Sequence, residues 1–283
     1  IVEGTRYKIG SIDIRGLDVT KAFVCKREIE IQKGQWWETE NIQNTENNLR
    51  KLGIFSEVKI VPMPSALGTD YKDAQINVVE LEPGVVELGP GYRSDLGLRS
   101  FARLSYNNMF GRNWIGAIGG EVNRRLTSEY RFIEYELQTS FIEPRFFSSK
   151  FLYSIELSTK KQRTPPDFNA VTTQVQTGFE RRFPKILGGV LSTKLSYKLE
   201  RIRQFDVIIN NKYSTLDNKS MLIGSLIPKI TLDTRDSPFI TTKGVLSSIW
   251  LEYAYPTFSG SHTEDDEAPA YSKWTSTTHV YVP

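Results

Sequence analysis

The chain has 283 residues, a formal net charge of +3 and a single cysteine, Cys25. This mild charge argues against nucleic acid as a partner, and one cysteine excludes an internal disulfide. Two histidines, His262 and His279, leave no clustered set of metal ligands, so we expect no metal and no cofactor. The sequence has no apolar run of the roughly 18 residues that a membrane helix needs. It also begins without a basic and apolar leader, so we expect a mature or trimmed chain.

Residues 1–84 are predicted to form a small α+β domain. A short strand ends at Gly16, and the polar run 18–20 offers a helix start. A second helix, capped by Thr39 or Asn41, carries its apolar side chains on one face. It ends before Gly53, which suits a left-handed cap.

Two strands follow the second helix, at residues 55–61 and 74–81. The segment between them, residues 62–72, contains Pro, Gly and Asp and is predicted to be a loop. The order strand, helix, helix, strand, strand predicts a three-stranded sheet covered by two helices.

Three stretches of this domain resemble a POTRA domain, the periplasmic module of the BamA-type outer-membrane protein assembly family. They are residues 12–16 (IDIRG), 49–58 (LRKLGIFSEV) and 76–80 (INVVE). The glycine-aromatic step after the second helix is the more specific part of the resemblance. The alternative is another small α+β domain with the same order of elements.

One strand of the predicted POTRA domain is a candidate binding edge: Phe55, Glu57, Val58, Lys59, Ile60 and Val61. Its main chain can pair with periplasmic clients or with accessory assembly lipoproteins. The alternative is a solvated edge that Lys59 and Pro62 protect from pairing.

Residues 85–283 alternate between apolar and polar side chains over many consecutive segments, as strands with one apolar face do. Ten strands are predicted: 86–93, 98–107, 114–124, 130–143, 150–161, 171–183, 190–203, 221–232, 244–255 and 271–282. Some connections are short, such as 184–189, and others are long and polar, at 204–220 and 256–270. Short periplasmic turns opposite longer external loops are typical of an outer-membrane barrel.

The alternation also assigns a face to each side chain of the predicted barrel. We expect these side chains to face lipid: Tyr135, Leu137, Tyr153, Leu195 and Tyr197. We expect these to face the lumen: Glu134, Glu136, Glu156, Lys194 and Lys198.

Aromatic side chains at strand ends are either core residues or an interfacial girdle, and we favour the girdle: Trp114, Phe146, Phe147, Trp250 and Trp274. The dispersed basic pairs are Arg124-Arg125, Lys160-Lys161 and Arg181-Arg182. They lie near strand ends, where they can meet lipid head groups. We favour ordinary solvated or lumen-facing charges for them.

The strand array resembles the N-terminal part of the BamA-type barrel, with residues 107–113 (NNMFGRN) similar to the turn after its second strand. The resemblance implies about sixteen strands, of which ten are present, and an external loop with an arginine-glycine-aromatic motif that this sequence does not contain. Because open edges are costly in lipid, we expect either a longer protein or another source for the remaining wall.

The first predicted barrel strand is interrupted by Gly89, Pro90 and Gly91. Proline lacks a donor for the strand ladder and glycine has no side chain to pack, so this strand is expected to pair weakly with a closing strand. It is the candidate client-binding gate: Val86, Glu87, Leu88, Gly89, Pro90, Gly91, Tyr92 and Arg93. The alternative is that these residues relieve crowding where the chain enters the barrel.

The resemblance implies a non-enzymatic factor in the outer membrane of a Gram-negative bacterium, with its POTRA domain in the periplasm. It would insert unfolded outer-membrane protein clients by templating their strands at the gate. Its expected partners are these clients, accessory assembly lipoproteins and outer-membrane lipid. The alternative is a POTRA-barrel translocation or secretion pore of the TamA-like or two-partner secretion type. The sequence shows no catalytic constellation that favours an enzyme.

Overall fold

The computed structural model describes residues 6–94, 97–124, 133–164, 168–205, 208–209, 212–213, 220–237, 241–260, 266–267 and 269–282. These residues form two compact units. The first contains residues up to Val85 together with Tyr106–Ile115, and the second contains Val86–Ser105 and the residues from Gly116 onward. Residues 95–96 between the first two predicted strands, most of the predicted loop 204–220 and the start of the predicted strand 130–143 lie outside the described residues.

The first unit has the predicted order of elements. Its elements are β1 (Lys8–Arg15), α1 (Ala22–Lys26), α2 (Thr39–Arg50), β2 (Phe55–Pro64) and β3 (Tyr71–Glu80). The three strands form one sheet in the order β1-β3-β2, with β1 parallel and β2 antiparallel to the central strand. The predicted β-α-α-β-β fold of this domain is therefore confirmed.

The core of the first unit is built from the apolar residues of these elements. Ile9, Val24, Leu49, Val58 and Ile76 are almost completely buried. Burying one such side chain contributes about 1.5–3 kcal/mol, so the helices and sheet stabilise each other mainly by this packing. The same core contains the lone cysteine, Cys25.

The start of each helix differs in detail from the prediction. Helix α1 starts at Ala22 rather than within 18–20, because the backbone amides of Val19 and Thr20 donate to the carboxylate of Glu80. Helix α2 starts at Thr39 with Glu38 as its N-cap residue, so the predicted caps Thr39 and Asn41 are wrong. Asn41 instead donates its side-chain amide to Glu38.

The loop between β2 and β3 is shorter than predicted. Their antiparallel pairing continues to Pro64 opposite Lys72, so the unpaired connection is 65–70 rather than 62–72. Each added backbone pair satisfies polar groups that a loop would leave to water.

The second unit is dominated by long strands that follow one another along the chain. They are β4 (Gly84–Arg93), β5 (Gly97–Met109), β6 (Trp114–Arg124), β7 (Ile133–Glu143), β8 (Phe151–Thr164), β9 (Phe168–Ile186), β10 (Gly189–Phe205), β13 (Ser220–Asp233), β14 (Gly244–Ala254) and β16 (Tyr271–Tyr281). Short pieces accompany them: a 3₁₀ turn (Phe146–Ser148), β11 (Ile208–Ile209), β12 (Lys212–Tyr213), α3 (Pro256–Ser259) and β15 (Asp266–Glu267). None of the helices in the described residues is long and apolar enough to cross a membrane.

The ten long strands form one sheet in the order β16-β14-β13-β10-β9-β8-β7-β6-β5-β4, which confirms the predicted antiparallel array. The predicted turn 184–189 is too wide, because β9 continues through Pro184 to Ile186. A register shift at the start of β10 accommodates the proline, and the turn itself is Leu187-Gly188, with both residues at positive φ.

The sheet registers separate two faces. Lys198 lies directly opposite Ser225, and Leu195 lies opposite Phe179 and Pro228. We call the first side the polar face, which carries Glu136, Lys194, Lys198 and Glu252, and the second the apolar face, which carries Leu137, Tyr153, Leu195 and Tyr253.

Trp250 does not belong to the expected girdle. It lies opposite Lys229 on the polar face, where the ammonium group is 5.1 Å from the centre of its ring. Trp274 pairs with Leu251 on the apolar face and is 72% exposed, as a lipid-facing aromatic residue would be.

The two faces predict opposite tolerance of charge at neighbouring positions. Leu195 is 56% exposed on the apolar face, so Leu195→Arg should lower the free energy of unfolding in a bilayer by about 2–4 kcal/mol if the residue lies near the midplane. Lys194→Arg, on the polar face, is the matched control and should change it far less. Urea titration of the protein in lipid vesicles measures both, and equal effects would contradict a lipid-facing stripe.

Candidate functional site at strand β4 and the turn after β5

Strand β4 is one of the two outer strands of the ten-strand sheet and pairs with one neighbour, β5. Its apolar side chains are exposed: Val86 by 65%, Leu88 by 74% and Tyr92 by 67%. Pro90 sits within this strand and has no backbone donor. The candidate gate residues therefore form an edge strand that lacks one backbone donor and has an exposed apolar surface.

A close contact explains why glycine occupies position 89. A Cβ atom there would lie 2.8 Å from the Phe101 ring, whereas one at Gly91 would lie 3.8 Å from Arg99, an ordinary contact. The Phe101 ring thus covers the backbone of Gly89. Sequence reasoning missed Phe101, because its pairing with Gly89 depends on the register between β4 and β5.

Among the described residues, one ion pair joins β4 to its neighbour. Glu87 and Arg103 form an ion pair with an N–O distance of 3.5 Å, and both side chains are more than half exposed. Such an exposed pair contributes at most about 1 kcal/mol. On β5, Arg99 pairs instead with Glu121 of β6, and its guanidinium group lies 5.0 Å from the centre of the Phe101 ring.

The polar face next to β4 contains a recess of about 370 Å³. It is lined by charged and polar side chains of β5, β6 and β7 together with Phe101, among them Arg99, Arg103, Glu121, Glu136 and Gln138. Its charges are partly paired with each other, which suits a water-filled space rather than an apolar ligand pocket.

The other end of the sheet is held by a buried polar network on the same face. Lys198 binds Glu252 at 2.6 Å and Glu200 at 3.2 Å, while Tyr271 and Ser225 donate to Glu252 at 2.9 and 3.2 Å. These residues lie on β10, β13, β14 and β16. Mutually satisfied groups of this kind rigidify the strands they join.

The predicted binding edge of the first unit is an outer strand, since β2 pairs with β3 on one side only. Its outward backbone groups are partly occupied, however. Arg50 of α2 donates to the carbonyl of Val58, and the amide of Ile60 donates to Glu46, both at 2.8 Å. An incoming strand at this edge has to replace both side chains. The alternative that named Lys59 and Pro62 as the protecting residues did not foresee this contact.

The turn after β5 is built into the first unit. The side-chain amide of Asn108 donates to the Thr20 hydroxyl at 2.8 Å, and the amide of Lys21 donates to the Gly111 carbonyl at 2.9 Å. Gly111 has φ +68, and a side chain there would collide with the Val19 carbonyl. Only glycine can adopt this positive φ without strain and also leave room for the Val19 carbonyl.

Glu80 binds the loop that carries Val19 and Thr20, the partners of this turn. Its carboxylate accepts hydrogen bonds from the backbone amides of Val19 and Thr20 at 3.0 and 2.8 Å. Partial burial opposes ionisation, but the hydrogen bonds from Thr20 and Val19 prevail and lower the pKa of Glu80. Burial, reinforced by the negative charge of Glu80, raises the pKa of the nearby Cys25 thiol to about 11.

Within the part of the chain that the structure describes, no group of three or more His, Cys, Asp or Glu side chains is arranged to hold a metal ion.

Two families match the chain. The Omp85 superfamily domain matches residues 108–280, more than half of the sequence, and the POTRA family, described as surface antigen variable number repeat, matches residues 7–82. The second match covers the first compact unit up to the end of β3.

Curated relatives are outer membrane protein assembly factors named BamA. The protein of Neisseria meningitidis is 28% identical over 111 residues, which are 39% of this chain and 14% of the relative. That of Nitratidesulfovibrio vulgaris is 22% identical over 246 residues, which are 87% of this chain and 29% of the relative. The chain therefore spans less than a third of the length of these relatives.

Solved structures of the same fold include BamA from Haemophilus ducreyi lacking POTRA domains 1-3. The match has a TM-score of 0.66 at 17% identity and covers 89% of this chain and 49% of the other. CdiB from Acinetobacter baumannii matches with a TM-score of 0.55 at 13% identity, over 89% of this chain and 46% of the other.

The contact at Gly89 predicts a position-specific effect of one methyl group. Gly89→Ala should displace the Phe101 ring and lower the free energy of unfolding by about 1–3 kcal/mol, as overpacking does. Gly91→Ala is the matched control and should be close to neutral. Urea titration in detergent measures both, and the double variant Gly89→Ala/Phe101→Leu should recover most of the loss. Equal effects at 89 and 91 would exclude a specific role for the ring.

The lowered pKa of Glu80 predicts a pH-dependent stability of the first unit. A depressed folded-state pKa stabilises the fold above the unfolded-state pKa, and this contribution disappears as pH falls through the folded-state pKa. Glu80→Gln should destabilise the unit by about 1–2 kcal/mol at neutral pH. The difference from the unsubstituted protein should vanish in acid, where both side chains are neutral.

The measurement uses the thiol of Cys25. This thiol is buried, so a reagent reaches it only when the first unit opens. The rate of its reaction with a dipyridyl disulfide, followed from neutral pH into acid, reports that opening. Glu82→Gln, an exposed carboxylate two positions further, serves as the control and should follow the unsubstituted protein. A difference between the Glu80 proteins that stays constant across the whole pH range would refute the assignment.

Proposed function

The chain belongs to the Omp85 superfamily, and on this basis we propose that its protein inserts β-barrel proteins into the outer membrane of a Gram-negative bacterium. Strand β4 is the lateral gate. The observation that carries this proposal is an outer strand that contains Pro90 and exposes Val86, Leu88 and Tyr92.

The proposed mechanism uses the backbone of β4. An arriving client strand adds to the open edge by main-chain hydrogen bonds, and its side chains alternate between lipid and lumen. Pro90 removes one donor from the seam with a closing strand, so that seam costs less to separate. The exposed pair Glu87–Arg103 holds β4 only weakly on the polar face.

In this proposal the apolar face of the sheet contacts lipid and the polar face lines the lumen. The POTRA unit lies in the periplasm, and so does the end of the sheet with the turns 144–150 and 187–188, because periplasmic turns of such barrels are short. The buried network around Lys198 and Glu252 keeps β10, β13, β14 and β16 together while the opposite end opens.

The edge of β2 is a second proposed contact, for clients or accessory assembly lipoproteins. Glu57 and Lys59 present exposed side chains there. Because Arg50 and Glu46 bind the backbone at Val58 and Ile60, strand addition at this edge would exchange those two contacts for client backbone groups.

A POTRA-barrel translocation or secretion pore is the second candidate function, and the similarity to the CdiB fold fits it. Depletion of the protein distinguishes the two. Loss of an insertion factor should lower the amounts of many outer-membrane proteins, whereas loss of a secretion pore should affect one exported client.

The gate proposal predicts that a covalent lock stops insertion. In the full-length protein with Cys25 replaced by Ala, a disulfide between β4 and the last barrel strand should block client insertion while the barrel stays folded, and reduction should restore it. A disulfide between positions 194 and 229, which face each other across β10 and β13, is the control and should leave insertion unchanged. Normal insertion by the locked gate would show that β4 has a structural role only.

A further inference from the structure

Arg181 is a cation on the apolar face at the end of the sheet where β9 and β10 join; Arg201 and Arg203 lie on the same face toward the opposite end. Arg181 of β9 pairs in register with Phe151 of β8 and with Thr193 of β10, which puts its side chain on the apolar face. Its guanidinium carbon lies 5.3 Å from the centre of the Phe151 ring and 4.9 Å from that of Phe183. Two aromatic rings therefore hold the charge in place.

Arg181 differs from its neighbour in its charged contacts. Arg182, on the polar face, binds Glu180 at 2.8 Å. Among the described residues, no carboxylate forms an ion pair with Arg181. A cation on an apolar surface is costly unless an anion or water reaches it, and arginine binds phosphate through parallel N–H donors.

The position of Arg181 along the strand suits a membrane boundary. Phe151, its register partner, is the first residue of β8, so Arg181 lies level with the end of that strand, while β9 itself continues to Ile186. Long cationic side chains at this level extend toward the head groups while their stems cover apolar surface.

An aromatic group continues the apolar face to the tip of the neighbouring turn. Phe146 contacts Phe147, Tyr153 and Phe179 with ring centres 4.5, 5.1 and 5.2 Å apart. Phe147 at the tip is 86% exposed with φ 47, and Leu187 at the tip of the next turn is 79% exposed with φ 50. The left-handed backbone at both positions follows from the tight turns in which they stand.

We propose that these residues form a binding site for a phospholipid of the leaflet at this end of the sheet. Arg181 binds the head-group phosphate, and the acyl chains lie against Phe179 and Leu195, which continue the exposed apolar face toward the middle of the sheet. A phospholipid combines an anion with an apolar tail, which matches a cation that has no carboxylate partner among the described residues and the apolar face beside it. The assignment rests on the proposed placement of the sheet in the membrane. It adds the residues that bind one lipid, which that placement does not specify.

The test measures binding of phosphatidylglycerol to the full-length protein in detergent by native mass spectrometry. Arg181→Gln should weaken the apparent affinity about fivefold or more, since it removes the charge and the parallel donors. Arg182→Gln, on the opposite face, is the matched control and should leave it unchanged. Leu195→Ser should weaken binding to a smaller extent, because only acyl contacts are lost.

Heat-modifiable migration in electrophoresis verifies that each variant is folded. Should Arg181→Gln not fold, Arg181→Lys takes its place, with an expected weakening of about twofold because the charge stays and the fork geometry is lost. Unchanged binding in the Arg181 variant, or equal weakening by Arg182→Gln, overturns the site. Displacement of the lipid by inorganic phosphate at similar concentration also overturns it, because it indicates a free-anion site.

Client insertion is measured on the same variants to separate this assignment from the gate. Lost lipid binding with preserved insertion supports the site independently of the gate proposal. Unaltered lipid binding overturns the site and leaves the gate proposal standing.

Discussion

The structure depends on one constraint: the backbone N–H and C=O groups along the edge of a strand need hydrogen-bond partners. Every backbone N–H and C=O needs a partner, and inside a sheet the neighbouring strands supply it. In the ten-strand sheet, β4 and β16 are the outer strands. At β4 the demand is reduced by Pro90, which has no backbone donor, and we propose that this lets the strand exchange one partner for another at low cost. The proposed gate is a direct consequence of that local weakness.

The strands at the other side of the sheet are joined by a polar network. Lys198, Glu252, Tyr271 and Ser225 satisfy each other across four strands far from β4. Removing any one of them would leave a buried polar group without its partner, which is more costly than never having placed it there. A barrel that opens at one seam needs such fixed contacts elsewhere, because cooperative strand pairing would otherwise let the opening spread.

The first unit includes the turn after β5, which is also held by specific contacts. Gly111, Asn108 and Thr20 form a contact that tolerates no side chain at the glycine, and Glu80 fixes the loop that receives it. The turn between two strands of the large sheet is thereby part of the small domain's own packing. Charge-assisted bonds to a carboxylate make this contact sensitive to acid, whereas the apolar core around Cys25 and Leu49 is not.

The sequence by itself determined the order of elements, the number of strands and the face to which most side chains belong. Each depends on periodicity within a few residues, and alternation such as that of Tyr153 and Ser154 is visible without a structure. The glycines and proline of the candidate gate were equally visible. The register decided what the tertiary structure alone could show: the Phe101 ring over Gly89, the Lys229 ammonium group beside Trp250, and the Phe151 ring beside Arg181. Helix α1 starts late and the β2 edge is occupied because Glu80, Glu46 and Arg50 bind groups distant in the chain, and such contacts leave no local pattern.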